Sequence, residues 1–370
     1  MFFLIVILTY TIPNIYLFFR IKSLFITKKY RIWFILIYLL LFISFPVTLV
    51  FEYGKMNLPE KLLAGVTGYL LPILLYIFLF ILAFDIFLLL NLLIRFISSE
   101  TRKRFSFRLY TFSSMIILSV VIVTGGIINL NTIQVSPYRV TVSQRQSAID
   151  HLKIAYVADF HINQNTKPRF VRKFVKKIAQ LKPDIMLFGG DLTEGTRKSN
   201  YNGPIESALR TIQTSYGSHG VFGNHEYYGN VDQRIFYHNA GIELLFDSVI
   251  RIDDAIYLAG RDDQHVRQRK TVGELLNEAV YDLPVVLLDH RPTQLQQASL
   301  TQADIQFSGH THNGQLFPIN YITKSIYELS WGYKKIRHTS FFVTSGLRLW
   351  GPPVKTAGKS EIMLVEVEFK

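Results

Sequence analysis

The chain has 370 residues, 49% of them hydrophobic, with a formal net charge of +13 and no cysteine. The missing cysteine excludes a disulfide scaffold and a thiolate zinc site. The positive charge falls largely in short loops between apolar segments, where Lys and Arg concentrate in membrane proteins, so no nucleic-acid partner is expected.

The apolar excess lies before residue 131. Four stretches there are long enough to cross a bilayer, which takes about 20 residues per helix: Phe2–Phe19, Ile32–Phe51, a long one within Leu62–Ile94 that contains Pro72, and Leu109–Leu130. The first lacks a basic n-region and an A-x-A-like cleavage site, so it reads as a span rather than a signal peptide. Arg20, Lys22, Lys28, Lys29 and Arg31 separate the first two spans, and Arg95, Arg102, Lys103, Arg104 and Arg108 separate the last two. The middle loop has only Lys55 and Lys61 beside Glu52 and Glu60. The positive-inside rule then puts the two basic loops in the cytoplasm and the C-terminal domain outside it. Residues 1–131 are thus expected to be a multi-pass, all-α membrane segment of about four helices in the cell membrane. Asp85 and Asn91 fall inside the third span. Local pairing is expected for them, with no basic partner at membrane depth. Residues 132–150 read as a linker that contributes a first strand.

From 151 to 370 the pattern changes. Lys153–Ala158 is a mostly apolar run ending at Asp159, which reads as a buried strand. Pro168–Leu181 carries apolar residues at helical spacing and is stopped by Pro183; Asp184–Phe188 is the next strand, ending in Gly189-Gly190-Asp191. That is a β-α-β unit with a right-handed parallel connection. There follow a helix at Ile205–Ile212, Val221-Phe222 leading into Gly223-Asn224-His225-Glu226, and strands at Ile242–Phe246 and Ile256–Ala259. A helix at Val272–Ala279 precedes a strand at Val285–Leu288, which ends in Asp289-His290; another helix starts at Pro292. Ile305–Ser308 runs into Gly309-His310-Thr311-His312, and Phe341–Thr344 and Ile362–Phe369 close the domain. The expected fold class is α/β, a β-sandwich of two mixed sheets flanked by helices; the alternative is a single doubly wound sheet.

Five polar clusters therefore sit where buried strands emerge into loops. They offer carboxylate, imidazole and amide oxygen donors, the hard and borderline ligands that hold a pair of ions while leaving positions open. Asp159-x-His161 and His310-x-His312 each present two side chains on one side of an extended segment. Asp191 follows two glycines and has two oxygens with which to bridge. Asn224 adds a neutral oxygen that limits negative charge, and His290 adds an imidazole. His225, beside Asn224, is placed to contact a phosphate or protonate a leaving oxygen. This chemistry points to hydrolysis of a phosphate ester with two divalent metal ions, Mn, Zn or Fe. His151, His219, His238, His265 and His338 are assigned structural roles. Tyr227, Tyr228, Arg261, Trp331, Arg348 and Trp350 are candidates for the substrate wall.

The order D-x-H, G-D, G-N-H-E, H and G-H-x-H resembles the calcineurin-like metallophosphoesterase superfamily, over about residues 150–370. The resemblance implies that Asp159, His161, Asp191 and His312 hold one metal. Asp191, Asn224, His290 and His310 would hold the other, and His225 would contact the phosphate. The stretches around Gly223 and Gly309 look like the membrane-associated bacterial branch, some of whose members hydrolyse phospholipid-like or UDP-diacylglucosamine substrates. Asn313 stands where many relatives have Gly. The expectation is a membrane-anchored phosphohydrolase whose partners are a lipid-linked phosphate ester and the bilayer. A UDP-diacylglucosamine-type pyrophosphatase is the alternative if the domain faces the cytoplasm. The other alternative is a metal-stabilised, non-catalytic sensor or partner-binding module.

Overall fold

The computed structural model describes residues 2–50, 57–143, 145–163, 166–195, 203–228, 231–276 and 280–370. The expected end of the second span at Phe51, the loop residues Glu52 and Lys55, and the end of the 272–279 helix at Ala279 lie outside these. The chain divides into two compact units, one of residues 1–127 with 351–354, the other of residues 128–350 with 355–370.

The first unit is helical: α1 (Phe2–Phe25), α2 (Arg31–Val50), α3 (Leu58–Ile94), α4 (Ser99–Lys103) and α5 (Phe105–Asn131). Lys28–Thr48, Leu58–Ile94 and Phe105–Asn131 are long and apolar enough to cross a membrane. Helix α1, of 24 residues with Pro13 inside, stands where a further span is expected. Both ends of α3 are fixed by amide side chains. Asn57 and Glu60 exchange hydrogen bonds in a capping box at its start. Past its end Asn91 donates to Ile97 O at 2.8 Å and accepts from Ile97 N at 2.7 Å. Asp85 does have a basic partner, contrary to expectation: it is bonded to Arg20 and to Tyr16. The reason is that α1 runs on to Phe25, so Arg20 belongs to the helix and not to the following loop.

In the second unit, β1 (Ile133–Val142), β2 (His151–Val157), β3 (Ile185–Phe188), β4 (Ser218–Gly220), β5 (Glu243–Leu244) and β12 (Ser360–Phe369) form one sheet in the order β1-β12-β2-β3-β4-β5. The other contains β6 (Ser248–Ile252), β7 (Ile256–Arg261), β8 (Val285–Asp289), β9 (Ile305–Ser308), β10 (Gly332–Ile336) and β11 (Thr339–Val343), in the order β10-β11-β9-β8-β7-β6. Both are mixed. Strands β2 to β5 are parallel and β12 is antiparallel to β2. Strands β7, β8, β9 and β11 are parallel, with antiparallel β6 and β10 at the edges. Two sheets replace the alternative of one doubly wound sheet.

The period of two decides the layers. Ile154, Tyr156 and Leu187 point between the sheets, where they join Leu258, Val286 and Phe307. Tyr156 and Phe307 stack at 4.7 Å. Ala155, Val157 and Met186 point the other way, onto Phe170, Phe174 and Ile178 of α6 (Pro168–Leu181). Helices α7 (Gly203–Arg210) and α8 (Arg234–Asn239) cover the same face. On the second sheet's outer face lie α9 (Val272–Leu276) and α10 (Leu295–Ala298). Burying side chains of this size contributes about 1.5–3 kcal/mol each, and β2, β3, β8 and β9 are held this way on both faces. Strands β6 and β10 and helix α11 (Ile319–Ile326) are not anticipated from sequence. The two strands are edges, only partly buried, and the charged, broken pattern of β10 is typical of a protected edge.

Candidate metal centre

The polar clusters meet at one place, where β2, β3, β8 and β9 end and where the loop after β4 approaches. Asp159, His161 and His312 bring a ligand atom each within 4.8 Å of one another, as do Asp191, His290 and His310. His161, Asp191 and His225 form a third such group, so the three share members and describe one continuous centre. Of the sequence-predicted site residues, Asp159, His161, Asp191, His225, His290, His310 and His312 fall in these groups, and Asn224 precedes His225 in the chain.

The backbone is bent to produce this convergence. Asp159, His161, Asp191, His310 and His312 all have left-handed φ, between 48° and 69°, and Asn313 has 48°. Such a conformation costs a side-chain-bearing residue about 1–2 kcal/mol, and its concentration at a functional site is a recurrent pattern. Asn is among the residues that best tolerate this region, which gives Asn313 a backbone role. Glycines admit the side chains. A Cβ on Gly223 would collide with Asp191 Oδ1 and stand 2.7 Å from His290 Nε2. One on Gly309 would stand 2.6 Å from Asp159 Oδ2.

Hydrogen bonds then orient the donors. His290 Nδ1 bonds to Gly189 O at 2.7 Å, which leaves Nε2, 3.2 Å from Asp191 Oδ2. His161 Nδ1 bonds to Glu194 Oε1 at 2.9 Å, which turns Nε2 to within 3.1 Å of His312 Nε2. Asn224 Nδ2 donates to Tyr228 Oη at 3.0 Å, so its carbonyl oxygen is the end left over. Asn224 Oδ1, His290 Nε2 and His312 Nδ1 are buried without a hydrogen-bond partner. Buried polar atoms normally find partners. Their clustering beside Asp159 and Asp191 fits a cation, and the donor set fits Mn, Zn or Fe.

The electrostatics agree at Asp191, His310 and His312, whereas burial raises Asp159. Burial alone would raise Asp191, but His290, His225 and His161 outweigh it and hold the carboxyl well below the usual range. Burial, with His290 and Arg291, pushes His310 down to about 3. Burial and His161 also hold His312 low. Neutral imidazole and ionised carboxylate are the ligand forms. His290 is pulled up to about 10 against burial by Asp191. A divalent ion held there would favour the neutral imidazole, so loading would release a proton.

Three residues escape a reading of the sequence. Glu194 accepts from His161 Nδ1 and, at 3.0 Å, from His225 Nδ1. It thereby joins a candidate ligand to the candidate acid and, over the opposing effect of burial, raises His225 to about 9. Glu226, visible in the sequence only as part of a motif, is a buried brace: it accepts from Asp191 N, Thr193 N, Gly223 N and Tyr237 Oη at 2.8–3.0 Å. Lys355 is fully buried and donates to Ser345 O and Gly346 O at 2.7 Å, fixing the loop against which Asp159 packs. Of the wall candidates, Tyr228 and Trp350 flank His225, with ring centroids 4.9 and 5.9 Å away. Arg261 is instead buried in an ion pair with Asp289, and Trp331 is tied to Glu361. Tyr227 bonds to Asp262, and Arg348 lies over the Phe170 ring.

Residues 152–314 match the model of the calcineurin-like phosphoesterase family. A Danio rerio "transmembrane protein with metallophosphoesterase domain" is 30% identical over 70% of this chain and 62% of its own length. An "uncharacterized metallophosphoesterase" of Campylobacter jejuni is 27% identical over 99% of this chain and 98% of its own. A UDP-2,3-diacylglucosamine pyrophosphatase of Chlamydia muridarum is 22% identical over 45% of this chain and 64% of its own. The chain thus spans about six-tenths of the Danio relative and nearly all of the Campylobacter one.

Proposed function

We propose that this chain, whose residues 152–314 match the calcineurin-like phosphoesterase family, is a membrane-anchored, metal-dependent phosphohydrolase. Its substrate is a lipid-linked phosphoester or pyrophosphate. The observation that carries the reading is the three overlapping groups of Asp and His ligand atoms, within 4.8 Å of one another in each group, that converge on Asp159 and Asp191.

Asp159, His161 and His312 would hold one divalent ion and Asn224, His290 and His310 the other, with Asp191 between them. When bound, the ions supply Lewis-acid polarisation of the phosphoryl group and a water activated near neutral pH. The chain's own residues do the rest. Glu194 fixes Nδ1 of His225 and favours its protonated form, so Nε2 is left to bind a phosphoryl oxygen and hand a proton to the leaving oxygen. Glu226 holds the loops that carry Asp191 and Asn224 at constant separation. Tyr228 and Trp350, both partly exposed, provide a flat apolar rim beside His225.

A lipid-linked substrate is supported by the apolar helices on the same chain and by the diacylglucosamine pyrophosphatase among its relatives. The charge distribution of the loops favours a four-span, cell-membrane protein with its catalytic domain outside the cytoplasm. A reporter fused to the C-terminus tests this. Activity of a cytoplasmic-only reporter would reverse the orientation and favour the nucleotide-linked substrate. For catalysis, the purified full chain is expected to hydrolyse bis(p-nitrophenyl) phosphate or a lipid pyrophosphate with Mn, Zn or Fe, and to stop on chelation. Tight metal binding with no hydrolysis of any ester would instead support the sensor reading.

A further inference from the structure

The helical unit contains a cavity of about 370 Å³ where α1 and α3 approach their ends and α5 begins. Arg20, Arg102, Arg108 and Asp85 line it, with Ile81 and Phe84 among its apolar walls. Three guanidinium groups face a single carboxylate. That carboxylate is already taken, by Arg20 and Tyr16. Nε of Arg20 and Nε of Arg102 are buried with no hydrogen-bond partner. Arg108 Nε donates to Arg102 O at 3.1 Å, which ties the start of α5 to α4.

Guanidinium cannot shed its proton in a protein, so it cannot relieve burial by becoming neutral. Open donors on such groups call for an anion, and the planar fork of N–H groups matches a phosphate's oxygens two at a time. The volume lies at the small end of ligand sites, which run from about 300 to 1,000 Å³. It accommodates a phosphate with its first carbons and not a whole lipid. Ile81 and Phe84 offer those carbons an apolar surface. Ten of the twelve Lys and Arg residues in 1–131 fall within 20–31 or 95–108, and basic clusters bordering membrane helices attract anionic headgroups.

From these features we propose that the cavity between α1, α3, α4 and α5 binds the phosphodiester headgroup of an anionic phospholipid, held by Arg102 and Arg108 with Arg20 in support. This site is separate from the metal centre and takes a ligand of the opposite charge. Its failure would leave the hydrolase reading untouched.

The test uses the full chain purified in detergent and titrated, by thermal shift and native mass spectrometry, with phosphatidylglycerol, phosphatidylcholine or inorganic phosphate. Phosphatidylglycerol is expected to bind and stabilise the wild type, with little effect of the other two. In Arg102→Gln/Arg108→Gln its affinity should drop roughly 30-fold, since each basic side chain near an anionic lipid is worth about a factor of five. Arg102→Lys/Arg108→Lys, which keeps the charge, should stay within a few-fold of wild type. Hydrolysis of bis(p-nitrophenyl) phosphate should be unchanged in both variants, as a check on folding. Equal affinity of wild type and the Gln variant overturns the proposal. So does stabilisation by inorganic phosphate that matches the lipid's, because the cavity would then be a site for the free anion.

Discussion

Of the buried side-chain atoms that lack a hydrogen-bond partner among the described residues, two sets line the proposed sites, and they differ in kind. At the strand ends Asn224 Oδ1 is an acceptor left open beside the imidazoles of His290 and His312. Among the helices the open atoms are N–H groups: Nε of Arg20 and of Arg102. Elsewhere in the helices polarity is settled locally, as when Asn91 closes on Ile97. A buried group that is not hydrogen-bonded is costly, so a cluster of one sign announces the sign of what binds there. Lone pairs ask for a cation and N–H groups for an anion.

Substitutions on either side put this contrast to the test. The largest effect is expected from Asp191→Ala, which removes the carboxylate shared between both halves of the centre. kcat/KM for bis(p-nitrophenyl) phosphate should fall by roughly 10³-fold or more, and bound metal should fall with it. Wild-type activity in that variant would remove the cation side of the comparison. Glu194→Gln keeps the shape of the bridge between His161 and His225 but not its charge. Loss of an orienting carboxylate of this sort costs about 10–100-fold. The loss should appear in kcat with KM nearly constant, and a KM effect alone would place Glu194 outside the chemistry. A smaller change is expected from Tyr228→Phe, which frees the Asn224 amide to turn. Metal dissociation should rise about fivefold, the worth of one hydrogen bond, as read by titration with a competing chelator. In the helices, Asp85→Asn removes the one carboxylate and should tighten phosphatidylglycerol binding by about fivefold. Weaker binding there would reverse the assigned sign.

Much of the fold and of the centre is legible in the sequence because short buried strands announce themselves as apolar runs, and the polar residues at their ends stand out by contrast. Asp159, Asp191, His290 and His310 can each be placed at a strand end without knowledge of where they meet. Glu194 cannot. It sits in a loop three residues past Asp191, and its partners His161 and His225 lie 33 and 31 positions away on other elements. Nothing in its neighbourhood distinguishes it from a solvated acid. Lys355 is hidden for the opposite reason, since a lysine that gives its protons to three backbone carbonyls has no sequence signature. Arg261 misleads as a wall candidate because its charge suggests a surface, whereas its ion pair with Asp289 buries it, and half-buried Trp331 is tied to Glu361. Arg20 misleads through a helix boundary. Placing the end of α1 at Phe19 puts its charge in a loop, and six more residues of helix bring it to Asp85.

The pairing of β1 with β12 bears on how the domain is made. The two run parallel from Ile133 beside Ser360 to Val142 beside Phe369, and Ser136 reaches Glu361 across 225 positions of chain at 2.5 Å. Of the described strands, the ribosome therefore delivers β1 first and its neighbour last. Until then β1 has no neighbour on either side, and β2 lacks the strand that should separate it from β1. Closing so long a loop is slow, since chain entropy must be overcome before the contact forms. Completion of the first sheet thus waits for Ser360–Phe369. A nascent chain stalled before Ser360 should remain open to protease at β1, however well the metal ligands upstream have already been synthesised.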